Sequence, residues 1–190
     1  MNETIRKVVL YGFVILFAVT ASTIAAGPQE FTNQLQNAAF EEGTGNKLNV
    51  WTGYGKGFLV DRTVVHNGQQ SIQCTSTGEK SGMGARQIIR YEKPDKRPII
   101  FGGWSRAENV SGGGDYCVYL DILYDDGSHL WGQRSDWRCG THGWEYNAKL
   151  CHPEKPVKEI HAFAFIRNMT GKAWFDDIMV YRGGLHLTDL

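Results

Sequence analysis

The sequence has no excess of either charge, no long apolar run, no metal-type cysteine spacing and no sustained helical period. Its 190 residues carry 20 Lys plus Arg against 20 Asp plus Glu. With no basic stripe to neutralise phosphates, a nucleic-acid partner is disfavoured and a neutral polymer is the more natural ligand. The strongest apolar run, residues 8–19, holds 12 residues, well short of the ~20 that a membrane-spanning helix needs. Arg6 and Lys7 precede this run and small residues follow it up to Ala26. That is the pattern of a secretory signal peptide over residues 1–26, cleaved near Ala25 or Ala26, with a retained anchor as the alternative. The mature chain is then expected to be secreted, periplasmic or held at the cell surface. It would keep 164 residues, 18 basic and 19 acidic, enough for one domain with a single core.

Cys74, Cys117, Cys139 and Cys151 form no Cys-x-x-Cys pair, which argues against zinc. In an exported chain disulfides are permitted, and four cysteines allow three connectivities. Cys139 with Cys151 is the first choice, because the two flank a turn-rich segment. Cys74 shares strand parity with Ile72 and is the candidate for a free buried thiol. Catalytic motifs are also missing: there is no Gly-x-Ser-x-Gly elbow and no Glu-x-Asp-x-x-Glu array. A glycosidase needs two carboxylates ~5–9.5 Å apart across the scissile bond. Asp125 and Asp126 sit in a turn, and Asp176 and Asp177 alternate to opposite strand faces, so neither pair qualifies. The chain is therefore expected not to be an enzyme, with a dyad from distant parts, His142 and Glu145 foremost, as the remaining catalytic option.

Short alternating runs recur between Gly, Asp and Asn clusters, which is an all-β pattern. The candidate strands are 36–40, 57–64, 70–76, 85–89, 99–108, 116–124, 129–137, 146–151, 159–167 and 173–181. About ten such strands suit a two-sheet β-sandwich or jelly roll. Trp51 to Gly57 is glycine-rich and reads as a flexible loop; no helix follows to make it a phosphate site. On the last strand, simple alternation puts Trp174, Asp176, Ile178 and Val180 on one face and Phe175, Asp177, Met179 and Tyr181 on the other. A carboxylate between Trp174 and Ile178 needs a compensating charge or hydrogen bonds.

Asn37-x-x-Phe40-Glu41 near the start and Gly171-x-x-Trp174-Phe175-Asp176-Asp177-Ile178 near the end resemble the calcium-containing β-jelly-roll carbohydrate-binding modules of the galactose-binding-domain-like superfamily. The turn His66-Asn67-Gly68-Gln69-Gln70-Ser71 fits the same likeness. The resemblance implies one β-sandwich over residues 33–182 with a loose tail, 183–190. It also implies an exported, non-catalytic module that binds a polysaccharide or glycan and works beside a partner glycoside hydrolase. The alternatives are a structural or protein-interaction β-sandwich at the cell surface, or a jelly-roll hydrolase or lyase. A structural calcium would take carboxylate oxygens from Glu41 and Asp176 and carbonyls around Gln69, clamping the two ends of the domain.

The sugar face is expected on the 116–137 hairpin. The Asp125 to Gly127 turn sets a register that places Asp121 opposite Trp131 and Tyr119 opposite Gln133. Odd-numbered residues then share one face, leaving Val118, Leu120 and Ile122 for the core. Trp104 and Arg106, from a strand whose other face carries Phe101, would complete this surface. Tyr119, Trp131, Trp137 and Trp104 supply flat rings for sugar C–H patches, and Asp121, Gln133 and Arg106 supply polar partners for hydroxyls.

Overall fold

The computed structural model describes residues 32–183, and the expected signal peptide lies outside them. The described residues hold no helix. Twelve strands follow in chain order: β1 (Gly43–Thr44), β2 (Lys47–Leu48), β3 (Thr52–Gly55), β4 (Leu59–Asp61), β5 (Ser71–Thr77), β6 (Gly82–Asp95), β7 (Ile99–Ser111), β8 (Asp115–Tyr124), β9 (His129–Asp136), β10 (Gly140–Cys151), β11 (Val157–Arg167) and β12 (Thr170–Arg182). Two five-stranded antiparallel sheets, ordered β10-β7-β12-β5-β4 and β3-β6-β11-β8-β9, pack as a sandwich. The expected all-β sandwich is the fold observed.

Alternation explains the core. Val118, Leu120 and Ile122 of β8, Ala162 and Ala164 of β11, Ile72 of β5 and Phe101 of β7 are all fully buried between the sheets. The first motif caps this core without being a strand, because Asn37 and Phe40 have positive φ (48° and 60°) and the 36–40 segment turns. Asn37 Oδ1 accepts the Glu42 amide, Phe40 is fully buried against Trp51, and the Trp51 indole donates to the Asn37 carbonyl. Asn33 makes two bonds along one edge of β12, accepting the Val180 amide and donating to the Ile178 carbonyl, so the start of the described segment is tied to its last strand. Phe40→Ala should cost about 3–5 kcal/mol in a denaturant titration, the range for emptying a fully buried phenylalanine site.

Three local expectations are corrected. Residues 52–55 are not a loop but the edge strand β3, paired with β6 from Thr52–Arg86 to Gly55–Met83. On β12 a bulge between Asp176 and Met179, with Asp177 at φ 46°, inserts a residue and exchanges the faces. Phe175, Ile178 and Val180 therefore all point into the core, against simple alternation. All four cysteines are free thiols. Cys139 precedes and Cys151 ends the single strand β10, and twelve extended residues at ~3.3 Å each hold them far beyond the reach of a disulfide. Cys74 is buried as expected, and burial pushes its thiol far up.

Candidate functional site

The outer face of the β3-β6-β11-β8-β9 sheet carries an aromatic cluster separate from the main core. Register alone assembles it. One cross-strand row runs Tyr54, Gly84, Phe165, Cys117, Asp136, and the next runs Thr52, Arg86, Phe163, Tyr119, Arg134. Gly84 leaves the gap that lets Tyr54 reach across β6, since a Cβ there would lie 2.4 Å from the Phe165 Cβ. Tyr54 accordingly stacks on Phe165 (centroids 5.0 Å, planes 24° apart) and meets Phe163 edge-on at 5.5 Å. Tyr119 closes the other side, 5.3 Å from Phe165 and 5.9 Å from Phe163. Phe163 and Phe165 form the floor, and the two tyrosines stay partly exposed.

Charged groups frame these rings. The Arg167 guanidinium lies 4.9 Å from the Phe165 centroid and 5.4 Å from that of Tyr119, and donates to the Tyr54 hydroxyl at 3.3 Å. Asp115 pairs with both Arg167 (2.6 Å) and Arg134 (2.7 Å). Partial burial, helped by the Asp121 carboxylate, raises the Tyr119 phenol, which stays neutral and able to donate. Asp121 accepts the Gly132 amide at 3.1 Å. Beside it Trp131 is 61% exposed and stacks on His129 at 4.3 Å.

Of the seven residues expected to hold sugar, Tyr119, Asp121 and Trp131 share this face and four do not. Trp104 and Arg106 stand on β7, in the opposite sheet. The hairpin register is also corrected: Tyr119 pairs with Arg134 and Leu120 with Gln133, because a bulge at Trp131–Gly132 adds one residue to β9. Gly132, at φ 72°, supplies the left-handed residue that such a bulge requires. Past the bulge the faces exchange. Gln133 falls on the inner side, and Trp137 is buried against Tyr116 and Phe175, its indole donating to the Glu145 carbonyl. Tyr54, Phe163, Phe165, Arg134 and Arg167 were missed. One signal was available, the alternation Ala162-Phe163-Ala164-Phe165, in which small residues face the core and large ones face outward.

On the opposite sheet Trp104 lies in a second aromatic group, stacked on His66 (4.0 Å, 19°) with Trp144 and Tyr146 around it. Arg106 sits 5.9 Å from the Trp174 ring. His142 Nδ1 and Glu145 Oε2 lie 3.7 Å apart. The His142 side chain is buried with Nε2 3.4 Å from the Tyr116 hydroxyl, and the Arg138 guanidinium holds the Glu145 carboxylate below its ordinary range.

Glu41 and Asp176 converge on one turn. Glu41 Oε1 accepts the amides of Gln69 (3.0 Å) and Gln70 (3.2 Å). Asp176 Oδ2 accepts those of His66 (3.1 Å) and Asn67 (3.3 Å). Asp176 is fully buried with no Lys or Arg partner among the described residues, and burial pushes its carboxyl up to about 6. Both acids thus already accept amide N–H groups of the turn, and a hard divalent cation would have only their remaining carboxylate lone pairs to use. Among the described residues no three His, Cys, Asp or Glu side chains gather as metal ligands, so backbone oxygens would have to supply the rest.

No family model matches the sequence. The chain is 26% identical over 160 residues to the tRNA(Glu)-specific nuclease WapA of Bacillus subtilis subsp. natto and to the tRNA nuclease WapA of Bacillus subtilis strain 168. These matches cover 80% of this chain but only 6% and 7% of those proteins. Among solved structures, similar folds include carbohydrate-binding modules. The CBM22-1 xylan-binding domain of Paenibacillus barcinonensis Xyn10C superposes with TM-score 0.58 and 12% identity, over 82% of this chain and 97% of that one. TmCBM61, solved with β-1,4-galactotriose, superposes with TM-score 0.52 and 19% identity, over 80% of this chain and 99% of that one. The enzymatically active domain of the bacteriophage CBA120 tailspike protein 4 matches at TM-score 0.56 and 14% identity, over 79% of this chain and 21% of that one.

Proposed function

We propose that this chain is an exported, non-catalytic carbohydrate-binding β-sandwich that takes a polysaccharide on the outer face of the β3-β6-β11-β8-β9 sheet. The observation that carries this reading is the cluster of Tyr54, Tyr119, Phe163 and Phe165 lying outside the main core. A sheet face open to water ordinarily alternates to polar residues, so an aromatic cluster there with two partly exposed rings has a use other than packing. Sugar rings offer apolar C–H patches to such a floor, and Asp121, Arg134 and Arg167 stand beside it to meet hydroxyls. The xylan and galactotriose named for the two modules of like fold support a glycan as ligand. A binding role is supported by the state of the acids: Asp115 is held by Arg134 and Arg167, and Glu159 by Arg90 and His161. The nuclease activity of the WapA proteins is not carried over, because the shared segment is a small part of them.

In this reading residues 1–26 direct export, a glycoside hydrolase is a fitting partner, and calcium held by Glu41, Asp176 and carbonyls around Gln69 ties the first turn to β12. The test is retention on xylan, galactan and other polysaccharides, run beside a reducing-sugar release assay. Trp131→Ala is expected to weaken retention clearly while leaving the melting temperature within about 2 °C, because an exposed side chain contributes little to the fold. Release of reducing sugar would overturn the non-catalytic role. A second reading, a protein-interaction sandwich, is favoured by Tyr146 and Leu150 of β10, each about half exposed on the opposite sheet. A protein that co-purifies in the absence of any polysaccharide retention would select it.

A further inference from the structure

Among the described residues Arg86 is a cation on the aromatic face that enters no ion pair. Arg90, Arg134 and Arg167 on the same sheet each hold a carboxylate, at 2.7, 2.7 and 2.6 Å. Arg86 enters none of the ion pairs among the described residues, and its Nε is buried with no hydrogen-bond partner. It stands between Thr52 and Phe163 in the cross-strand row that continues to Tyr119. A half-buried guanidinium is costly to leave without hydrogen-bond acceptors, and its planar fork matches the two oxygens of a carboxylate or phosphate.

The surroundings of Arg86 give that oxyanion a place. β3 ends its pairing at Thr52, so from Gln87 onward the edge of β6 has no strand beside it. A groove of about 550 Å³ runs along this edge, lined by Arg86 and Arg90 with Gln34, Gln36 and Thr52 among its polar groups, and no Asp or Glu lines it. Arg90 is already engaged by Glu159, which leaves Arg86 as the guanidinium lining the groove without a carboxylate partner.

We infer that the bound polysaccharide is acidic, with a carboxylate or phosphate on a sugar seated in the β6 edge groove against Arg86 while neighbouring residues of the polymer lie on the Tyr54–Tyr119 floor. This rests on the glycan-binding reading and narrows it to a ligand class. The polar groups of the groove are cationic or neutral, so a neutral sugar could offer the guanidinium hydroxyl acceptors alone, whereas an acidic one also meets its charge. Arg86 thus acts in specificity: it selects charge, while the aromatic floor accepts ring shape.

The experiment measures affinity for four polymers: polygalacturonate and phosphomannan as the acidic pair, β-1,4-galactan and xylan as the neutral pair. The protein and its Arg86→Gln and Arg86→Lys variants are compared in 20 mM and 300 mM salt. The expected result is at least ~10-fold tighter binding of one acidic polymer over both neutral ones at low salt. That ratio should shrink at high salt, fall toward 1 in Arg86→Gln and be partly kept in Arg86→Lys. Whichever acidic polymer wins identifies the group as carboxylate or phosphate. Equal binding of acidic and neutral polymers, or a preference that survives Arg86→Gln, overturns the inference and leaves the glycan-binding reading standing. Failure of all four polymers to bind overturns both. Melting temperatures of the variants separate a lost contact from a lost fold.

Discussion

Replacing Tyr54 and Tyr119 together by alanine is expected to reduce polysaccharide affinity by about 100-fold or more. The two rings are the exposed walls of the aromatic floor, and central aromatic anchors typically carry 2 kcal/mol or more each, where ~1.4 kcal/mol is tenfold. The rings also touch the same two phenylalanines, so their effects will not simply add. Some stability is lost as well, because each ring leaves Phe163 and Phe165 more open to water. That loss stays well below the cost of emptying a core site such as Phe40. The double Tyr→Phe variant keeps both rings and removes only the hydroxyls, one of which receives the Arg167 bond. It should retain most of the affinity, and a Tyr→Phe loss as large as the Tyr→Ala loss would place the energy in the hydroxyls instead. Isothermal titration calorimetry with the best-retained polymer reads both variants.

Removal of divalent cations is expected to lower the melting temperature by about 5–10 °C. A ligand present at 100 times its dissociation constant stabilises by about 2.7 kcal/mol, and a domain of this size shifts by ~2–4 °C per kcal/mol. The chelated protein should also show an unusual pH profile. Asp176 titrates near 6 when folded against 3.8 as an ordinary side chain, because burial disfavours its charge. Between those values the folded state holds a proton that the unfolded state has released, so stability rises as pH falls from 7 towards 4, by up to ~3 kcal/mol. Below pH 4 the sense reverses at Asp61. Burial would raise this carboxyl, but hydrogen bonds from the Trp174 indole and from Thr63 outweigh it and hold the group at about 2, so its contribution is lost on further acidification. With calcium bound the slope from pH 7 to 4 inverts, since protons then compete with the ion for Asp176. Chemical denaturation across pH, with and without chelator, checks both halves. A melting temperature and pH slope indifferent to chelator would remove calcium from the account.

Much of the architecture is legible from period-2 alternation, because each buried strand face needs apolar side chains at every second position. Alternation alone puts Val118, Leu120 and Ile122 in the core and separates Phe101 from Trp104. Two bulges, one in each sheet, break the period and hide which way the residues after them face. One extra residue at Trp131–Gly132 sends Gln133 and Trp137 inward, and one at Asp177 turns Ile178 and Val180 onto the side of Phe175. Neither leaves a mark that alternation can detect, although Gly132 in mid-strand is the kind of residue a bulge recruits. β3 was hidden by its glycines, which suggest a loop until β6 is there to pair with them. The joining of Tyr54 to Phe165 across Gly84 depends on which strands neighbour one another, information that a single strand does not contain. The same limit explains why Trp104 and Arg106 were grouped with a hairpin that lies in the other sheet.

The most direct test of the proposed glycan face uses the six tryptophans as built-in reporters. Their indole N–H resonances, once assigned by single substitutions, distinguish the two sheets: Trp131 stands on the β3-β6-β11-β8-β9 face, whereas Trp104 and Trp144 belong to the group around His66 on the other. Titrating the polysaccharide retained most strongly into labelled protein should shift the Trp131 signal in proportion to saturation and leave Trp104 and Trp144 in place. Shifts at Trp104 and Trp144 with Trp131 unmoved would put the ligand on the opposite sheet and contradict the account.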